Sequence, residues 1–203
     1  MFGKVVDGFE TIDKIAKTPV HKDPRADGRK PAAADTPVVI KDVRRLTAEE
    51  SAAMRAKDAK RAAAEAAKAK EQAGRVFEKA KQLVASKGGD VSKGELKPNG
   101  LWVLHVAKGD GPHPTLEDTL SFHYTGWLAD GTKFDSSHDR GRPLKYKLKG
   151  LIQGWQQAIP EMQPGGKAFL IIPPELAYGQ AARPGIPANS TLVFEIELLE
   201  IVK

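Results

Sequence analysis

The spacing of apolar positions changes along the chain, and each change predicts an element. Phe194, Ile196 and Leu198 alternate with Glu195 and Glu197. That period of two belongs to a strand with one wet and one buried face. Leu101 to Val106 is an apolar run of strand type, and Phe122 and Tyr124 flank His123 in the same alternation. Asp130-Gly131 after them is a hairpin-turn signal. Gln153 to Met162 is the one short helical stretch beyond Gly100, and the segment from Leu144 to Ile152 before it reads as strand. Together these predict an α+β fold, an antiparallel sheet wrapped around one short helix.

Upstream the pattern differs. Residues 47–87 are dominated by Ala, Lys, Arg and Glu, open on Thr47 and Glu50 in capping-box spacing, and stop at Gly88-Gly89. This predicts one long N-terminal helix, reaching ~60 Å at ~1.5 Å per residue. Gly74 is its weak point, costing ~1 kcal/mol against Ala, and Glu71 with Arg75 forms a favourable i,i+4 pair. Large apolar side chains are scarce before Val76, Phe77, Leu83 and Val84. No heptad of large residues therefore persists. Two readings stand: an arm giving a homodimer through residues 47–87, or a solvated helix linking two domains.

Residues 1–46 predict a strand from Phe2 to Val6 closed by Asp7-Gly8, then a helix carrying Phe9, Ile12, Ile15 and Ala16 and ending before Pro19. A polar, Pro- and Ala-rich stretch runs from Thr18 to Pro37, and Val38–Val43 reads as another strand. So few apolar residues fall short of an independent core. The chain thus divides into 1–46, 47–99 and 100–203.

Ten aromatic residues lie at or after Trp102, which assigns the main core to the last hundred residues. The absence of cysteine removes disulfides, thiol nucleophiles and thiolate metal sites. No apolar run approaches the roughly 18 residues needed to span a bilayer, and the first residues lack the order of a secretory signal. The expectation is a cytoplasmic chain without a membrane partner, or an exported one if its true start lies upstream of Met1. The formal charge of +6 is spread along the Lys-rich helix without exposed aromatics, which predicts no nucleic-acid partner. His21, His105, His113, His123 and His138 lack metal-ligand spacing. Gly165-Gly166-Lys167 lacks the upstream glycine of a phosphate loop, and no nucleophile elbow surrounds Ser136, Ser137 and His138. No metal and no cofactor are expected.

Five blocks then appear in order: Phe122-His123-Tyr124-Thr125-Gly126; Asp130-Gly131-Thr132-Lys133-Phe134-Asp135-Ser136-Ser137; Leu151-Ile152-Gln153-Gly154-Trp155; Pro174-Glu175-Leu176-Ala177-Tyr178-Gly179; and Thr191-Leu192-Val193-Phe194-Glu195-Ile196-Glu197-Leu198. From about Gly100 to Lys203 the chain resembles the FKBP-type peptidyl-prolyl cis–trans isomerases. The resemblance implies the same sheet-and-helix fold and assistance to protein folding. It also implies proline-containing peptides and unfolded or nascent proteins as partners, and macrolides as inhibitors. By resemblance Trp155 floors the pocket, Tyr124, Phe134, Leu151, Ile152 and Phe194 wall it, and Tyr178 donates its hydroxyl to a substrate carbonyl. The Ile152 N–H bonds another carbonyl, and Ile186 and Pro187 overhang the site. Asp135 sits beside Tyr124, acting electrostatically rather than as acid or base. A raised pKa is possible there for an aspartate among aromatics. Read alone, each aromatic is a core residue and Asp135 a turn cap; the motif match assigns Tyr124, Phe134, Trp155 and Tyr178 to the site and leaves Phe194, Leu151 and Phe122 open between site and core.

Two positions depart from the family pattern. Leu144 stands where another aromatic is common, implying a slightly wider pocket wall, and Arg183 adds positive charge to the overhanging loop. The alternative function is a non-catalytic peptide-binding module or holdase chaperone using the same groove. Some bacterial FKBP-type proteins carry a long helix before the catalytic domain. Residues 1–46 resemble the C-terminal tail of a cyclophilin without the part that holds the cyclophilin active site. They read either as a decayed fusion or as a fragment of a longer chain.

Overall fold

The computed structural model describes residues 47–202 together with two short strands, β1 (Val20–His21) and β2 (Ala33–Ala34), which pair antiparallel. The strands and helix expected at 2–6, 9–16 and 38–43 lie outside the described residues. The chain divides into two compact units, Met1–Ala69 and Lys70–Lys203.

In the first unit, helix α1 (Ala48–Ser86) begins at the expected capping box. The Thr47 N–H donates to Glu50 Oε2 at 2.8 Å and the Glu50 N–H to Thr47 Oγ1 at 3.1 Å. Two of the orphan donors that every helix start presents are thereby satisfied. Residues 55–69 are exposed throughout, as an Ala- and Lys-rich surface allows.

The second unit takes in the last turns of α1 and a seven-stranded antiparallel sheet. Its strands are β3 (Glu95–Leu96), β4 (Trp102–Ala107), β5 (Thr119–Leu128), β6 (Lys133–Ser136), β7 (Leu144–Lys147), β8 (Lys167–Ile172) and β9 (Leu192–Val202), in the order β3-β4-β8-β9-β5-β6. Strand β5 is the hub: it pairs β9 from Thr119 to Leu128, β6 through Thr125–Trp127, and β7 through Thr119–Phe122. The helix α2 (Gln153–Ala158) packs inside this wrap, with Gly154, Trp155 and Ala158 buried.

Helical structure is more dispersed than the sequence suggests. Helix α2 stops at Ala158 and continues as a 3₁₀ turn over Ile159–Glu161, where Pro160 has no N–H to extend the α ladder. Further 3₁₀ turns occupy Val91–Lys93, Leu148–Gly150 and Pro174–Leu176. The strand expected between Leu144 and Ile152 therefore ends at Lys147.

Two apolar clusters hold the unit. The larger lies between the sheet and α2 and includes Leu120, Phe122, Trp155, Ile159, Leu170, Ile196 and Leu198. The second lies on the opposite sheet face, where Trp102, Leu104, Trp127, Phe169, Ile171 and Val193 meet Ala80 and Val84 of α1. The alternation in β9 foretold one wet face. That holds for Glu195 and Glu197, but Val193 is covered by this second cluster. The helix ends where Gly88 adopts φ +90°, a left-handed geometry suited to glycine.

Candidate active site

The aromatic residues of β5, β6 and β9 meet Trp155 at one end of the larger cluster. Trp155 lies in the first turn of α2, where Gly154 lets the helix approach β8: a Cβ there would lie 2.5 Å from Ile172 Cγ2. The Trp155 ring stands edge-on to Phe194 at 5.0 Å, to Phe122 at 5.1 Å and to Tyr124 at 5.4 Å, centroid to centroid. Phe134 in turn stands edge-on to Phe194 at 5.6 Å. This geometry suits ring quadrupoles. Gly126 makes it possible. A Cβ at that position would sit 2.6 Å from Phe134 Cζ and 2.8 Å from Phe194 Cε1.

Above this box opens a cleft of about 330 Å³ lined by Tyr124, Phe134, Asp135, Leu144, Tyr146, Gly150, Leu151, Ile152, Trp155, Tyr178 and Phe194. Nine of the ten residues expected at the site therefore come together. The tenth, Ile186, is 6% exposed and packs into the larger cluster. It anchors the loop of residues 173–190, where Arg183 and Ile186 exchange backbone hydrogen bonds of 2.8 and 2.9 Å. Phe122 lies fully buried beneath the cleft as core. Arg183 stacks its guanidinium 5.5 Å from the Tyr178 ring centroid. Among the described residues, neither the Ile152 N–H nor the Tyr178 hydroxyl has a hydrogen-bond partner, so both remain available as donors.

Asp135 is held by two donors at the rim. The Tyr124 hydroxyl donates to Asp135 Oδ2, and Arg140 donates to Asp135 Oδ1. Arg140 also donates to the Tyr124 oxygen at 2.8 Å and lies over the Tyr124 ring. The expectation of a raised pKa does not hold. Burial pushes the Asp135 carboxyl up, but the Tyr124 hydrogen bond and Arg140 together bring it below the ordinary carboxylate value. Burial, aided by Asp135, pushes the Tyr124 hydroxyl up to about 12.

The sign of the pH effect follows. Asp135 has a lower pKa folded than unfolded, so its stabilising effect is present above about pH 3.8 and is lost as pH falls through its folded value. Tyr124 has a raised pKa, so its effect is present below pH 10 and is lost as pH rises toward about 12. An activity resting on this pair is expected to stay flat between roughly pH 6 and 9. A bell-shaped profile centred in that window would show a titrating acid or base instead.

Ser137 takes no nucleophilic role. It is fully buried, and its Oγ accepts from the Tyr124 N–H at 2.9 Å and pairs with His123 Nδ1 at 2.9 Å, bracing β5 from behind. Lys167, which followed the two glycines of the apparent phosphate loop, begins β8 and pairs with Glu195. Among the described residues no three His, Asp or Glu gather to hold a metal.

Sequence reasoning missed Arg140, Tyr146 and Gly150. Arg140 lies in a polar turn, 16 residues from the tyrosine it holds, and carried no local signal. Tyr146 alternates with Lys145 and Lys147, which marks a strand but not a cleft wall.

The profile described as FKBP-type peptidyl-prolyl cis-trans isomerase matches residues 111–199, an interval that contains every lining residue of the cleft. It does not reach residues 1–46, so the cyclophilin resemblance expected there has no support from it. FkpA of Escherichia coli (strain K12) is 50% identical over 102 residues, covering 50% of this chain and 38% of that protein. The chain thus spans less than half the length of that relative. Its crystal structure superposes with a TM-score of 0.55 at 39% identity, covering 77% of this chain and 73% of that one. Fkbp12 of Drosophila melanogaster is 46% identical over 106 residues, covering 50% of this chain and 98% of that protein. With a relative matched almost end to end at that identity, this chain belongs to the family of FKBP-type peptidyl-prolyl cis–trans isomerases.

Proposed function

We propose that the chain is a peptidyl-prolyl cis–trans isomerase acting on X-Pro segments of peptides and of unfolded or nascent proteins. An X-Pro bond prefers trans by only ~0.5–1 kcal/mol yet interconverts in tens to hundreds of seconds. Its barrier is ~18–20 kcal/mol because rotation sacrifices amide resonance. Catalysis requires only that the twisted amide be bound better than either planar form.

The observation that carries this reading is the edge-to-face box of Tyr124, Phe134, Trp155 and Phe194 opening on a carboxylate that is already hydrogen-bonded. A pyrrolidine ring fits a dry apolar floor of this kind. The Ile152 N–H and Tyr178 hydroxyl then hold substrate carbonyls, while Leu144 and Leu151 complete the wall. Asp135, engaged by Tyr124 and Arg140, serves as fixed charge near the twisting amide and not as a proton carrier.

The test follows cis-to-trans conversion of Leu-Pro and Phe-Pro peptides by the full chain. Asp135→Ala combined with Tyr178→Phe is expected to lower kcat/KM by on the order of 10²-fold, as for loss of preorganised polar groups. Wild-type protein that is folded but gives no acceleration would reduce the cleft to a binding groove, the non-catalytic alternative. A macrolide of the kind that inhibits this family is proposed to compete in the same assay; no competition at saturation would refute that proposal.

Helix α1 is proposed to add valency for unfolded clients, through a homodimer or as a second contact. Protection of an aggregating client should then fall for Lys70–Lys203 alone while peptide turnover is kept; equal loss of both refutes the division. The cyclophilin likeness of residues 1–46 stands as a proposal about ancestry. It predicts that this segment folds when supplied with the rest of a cyclophilin sheet, and a chimera that stays unfolded would end it.

A further inference from the structure

We infer that Leu83 of α1 is a positioning residue for the reaction: by holding the β5–β6 turn it sets where Phe134 stands in the cleft. The inference rests on the isomerase reading and reaches a residue that lines no part of the cleft.

Phe134 is the box residue that the sheet holds least. Its strand, β6, ends the sheet and pairs with β5 alone. The ladder joins Thr125 to Ser136, Gly126 to Asp135 and Trp127 to Lys133. Adjacent residues Gly126 and Trp127 thus oppose Asp135 and Lys133, and Phe134 between those two has no partner on β5. It is the extra residue of a β-bulge. A bulge bends its strand and re-aims the side chain, so the ladder alone does not fix the ring. The aim of Phe134 follows the tilt of the turn that joins Trp127 to Lys133.

That tilt is set from behind the sheet. Trp127, at the root of the turn, belongs to the second cluster, where it meets Ala80 and Val84 of α1, both fully buried. The Lys87 ammonium, just past the helix, lies 5.3 Å from the centre of the Trp127 ring. Leu83 and Ala129 pack at the edge of the same cluster. Beyond Trp127 the turn closes on itself. The Leu128 N–H donates to the Thr132 carbonyl at 2.9 Å, and the Gly131 N–H donates to the Leu128 carbonyl at 2.9 Å. Turn and β6 therefore tilt together.

Leu83 is the apolar side chain of α1 that reaches this turn. A Cβ on Gly131 would lie 3.7 Å from Leu83 Cδ1, an ordinary van der Waals distance. Around that contact a groove of about 370 Å³ stays open between Lys79, Gln82 and Ser86 on the helix and Ala129, Asp130 and Gly131 on the turn. Shortening Leu83 leaves the turn free to settle into the groove. The Phe134 ring, edge-on to Phe194 at 5.6 Å, then loses that alignment.

The experiment follows turnover of a Leu-Pro peptide by the full chain, at a temperature where circular dichroism shows every variant folded. Leu83→Ala is expected to lower kcat/KM on the order of 5-fold, a size that packed side chains transmit between sites. Leu83→Met refills the space and should stay within about twofold of wild type. A double-mutant cycle separates positioning from general loosening. Phe134→Leu removes the ring but keeps an apolar wall, and in that background Leu83→Ala should cost no further activity. Leu104→Ala opens the same cluster on β4, toward the opposite end of the sheet, and should lower stability while leaving kcat/KM unchanged. Wild-type kcat/KM in Leu83→Ala overturns the inference. So do equal losses with and without the Phe134 ring, or an equal loss in Leu104→Ala, because either would mean a loosened fold. Kd for the same peptide, read by calorimetry through the same cycle, tells the two readings apart. If wild type binds without turnover, the isomerase reading falls. A Kd loss in Leu83→Ala that vanishes in Phe134→Leu would then keep Leu83 as the positioning residue of a binding groove, and an unchanged Kd would end that role too.

Discussion

Trp155→Ala is expected to destabilise the Lys70–Lys203 unit by about 3–5 kcal/mol and to abolish measurable turnover. The indole is 3% exposed and touches three other rings, so its removal opens a cavity where fold and cleft share one wall. The sheet cannot collapse into that space without moving Tyr124 and Phe194. Trp155→Phe should behave differently. The indole Nε1 is buried without a hydrogen-bond partner among the described residues, and an unpaired buried donor costs about 1–3 kcal/mol. Phenylalanine removes that cost while losing part of the ring area, so the net stability change should be within about 1.5 kcal/mol. Denaturant unfolding of both variants decides the matter. A Trp155→Ala loss below about 1 kcal/mol would mean that the box is not packed as described.

Gly126→Ala should produce the opposite imbalance, a modest stability loss with a severe loss of activity. The added methyl meets Phe134 and Phe194 at distances that real contacts do not show, and both rings are cleft walls. Overpacking of this kind costs about 1–3 kcal/mol. Displacing two walls of a site that works by fit should lower kcat/KM by on the order of 10²-fold. Gly126 is not among the glycines with positive φ, so the backbone itself accepts alanine and the effect is crowding alone. Gly74→Ala provides the contrast: nothing lies within 4 Å of its added Cβ, and a helix-interior alanine should stabilise by about 0.5–1 kcal/mol. If Gly126→Ala kept wild-type kcat/KM, Phe134 and Phe194 could not be the rigid walls assigned to them.

Much of this was legible in the sequence because the box residues serve fold and site together. Tyr124, Phe134, Trp155 and Phe194 sit in the blocks that carry the family resemblance, and it was the resemblance, not their spacing, that pointed to a site. Contacts made by residues without a periodic neighbour were hidden. Arg140 reaches Tyr124 from a turn, and its charge reverses the pKa direction that burial alone would give Asp135. Ile186 was expected to overhang the site, and the loop folds it inward to pack into the larger cluster. The short strand β3 escaped notice because Glu95 and Leu96 carry no alternation long enough to see, and β4 supplies their pairing. The helix side of the second cluster was foreshadowed by Phe77, Leu83 and Val84. Nothing local revealed that it would cap the sheet face carrying Val193.

The pairing of β5 along its whole length with β9, and by halves with β6 and β7, has a consequence for how this domain can change by insertion. Tyr124 and its partner Ile196, Gly126 and its partners Asp135 and Phe194, and Leu144 opposite Phe122 are all positioned from this one strand. One residue added within it would turn every following side chain to the opposite face. Length variation must therefore fall outside β5 and outside the turns that carry Ser137, Arg140 and Ile186, as in the turn around residues 108–118, where chain can be added without resetting the site.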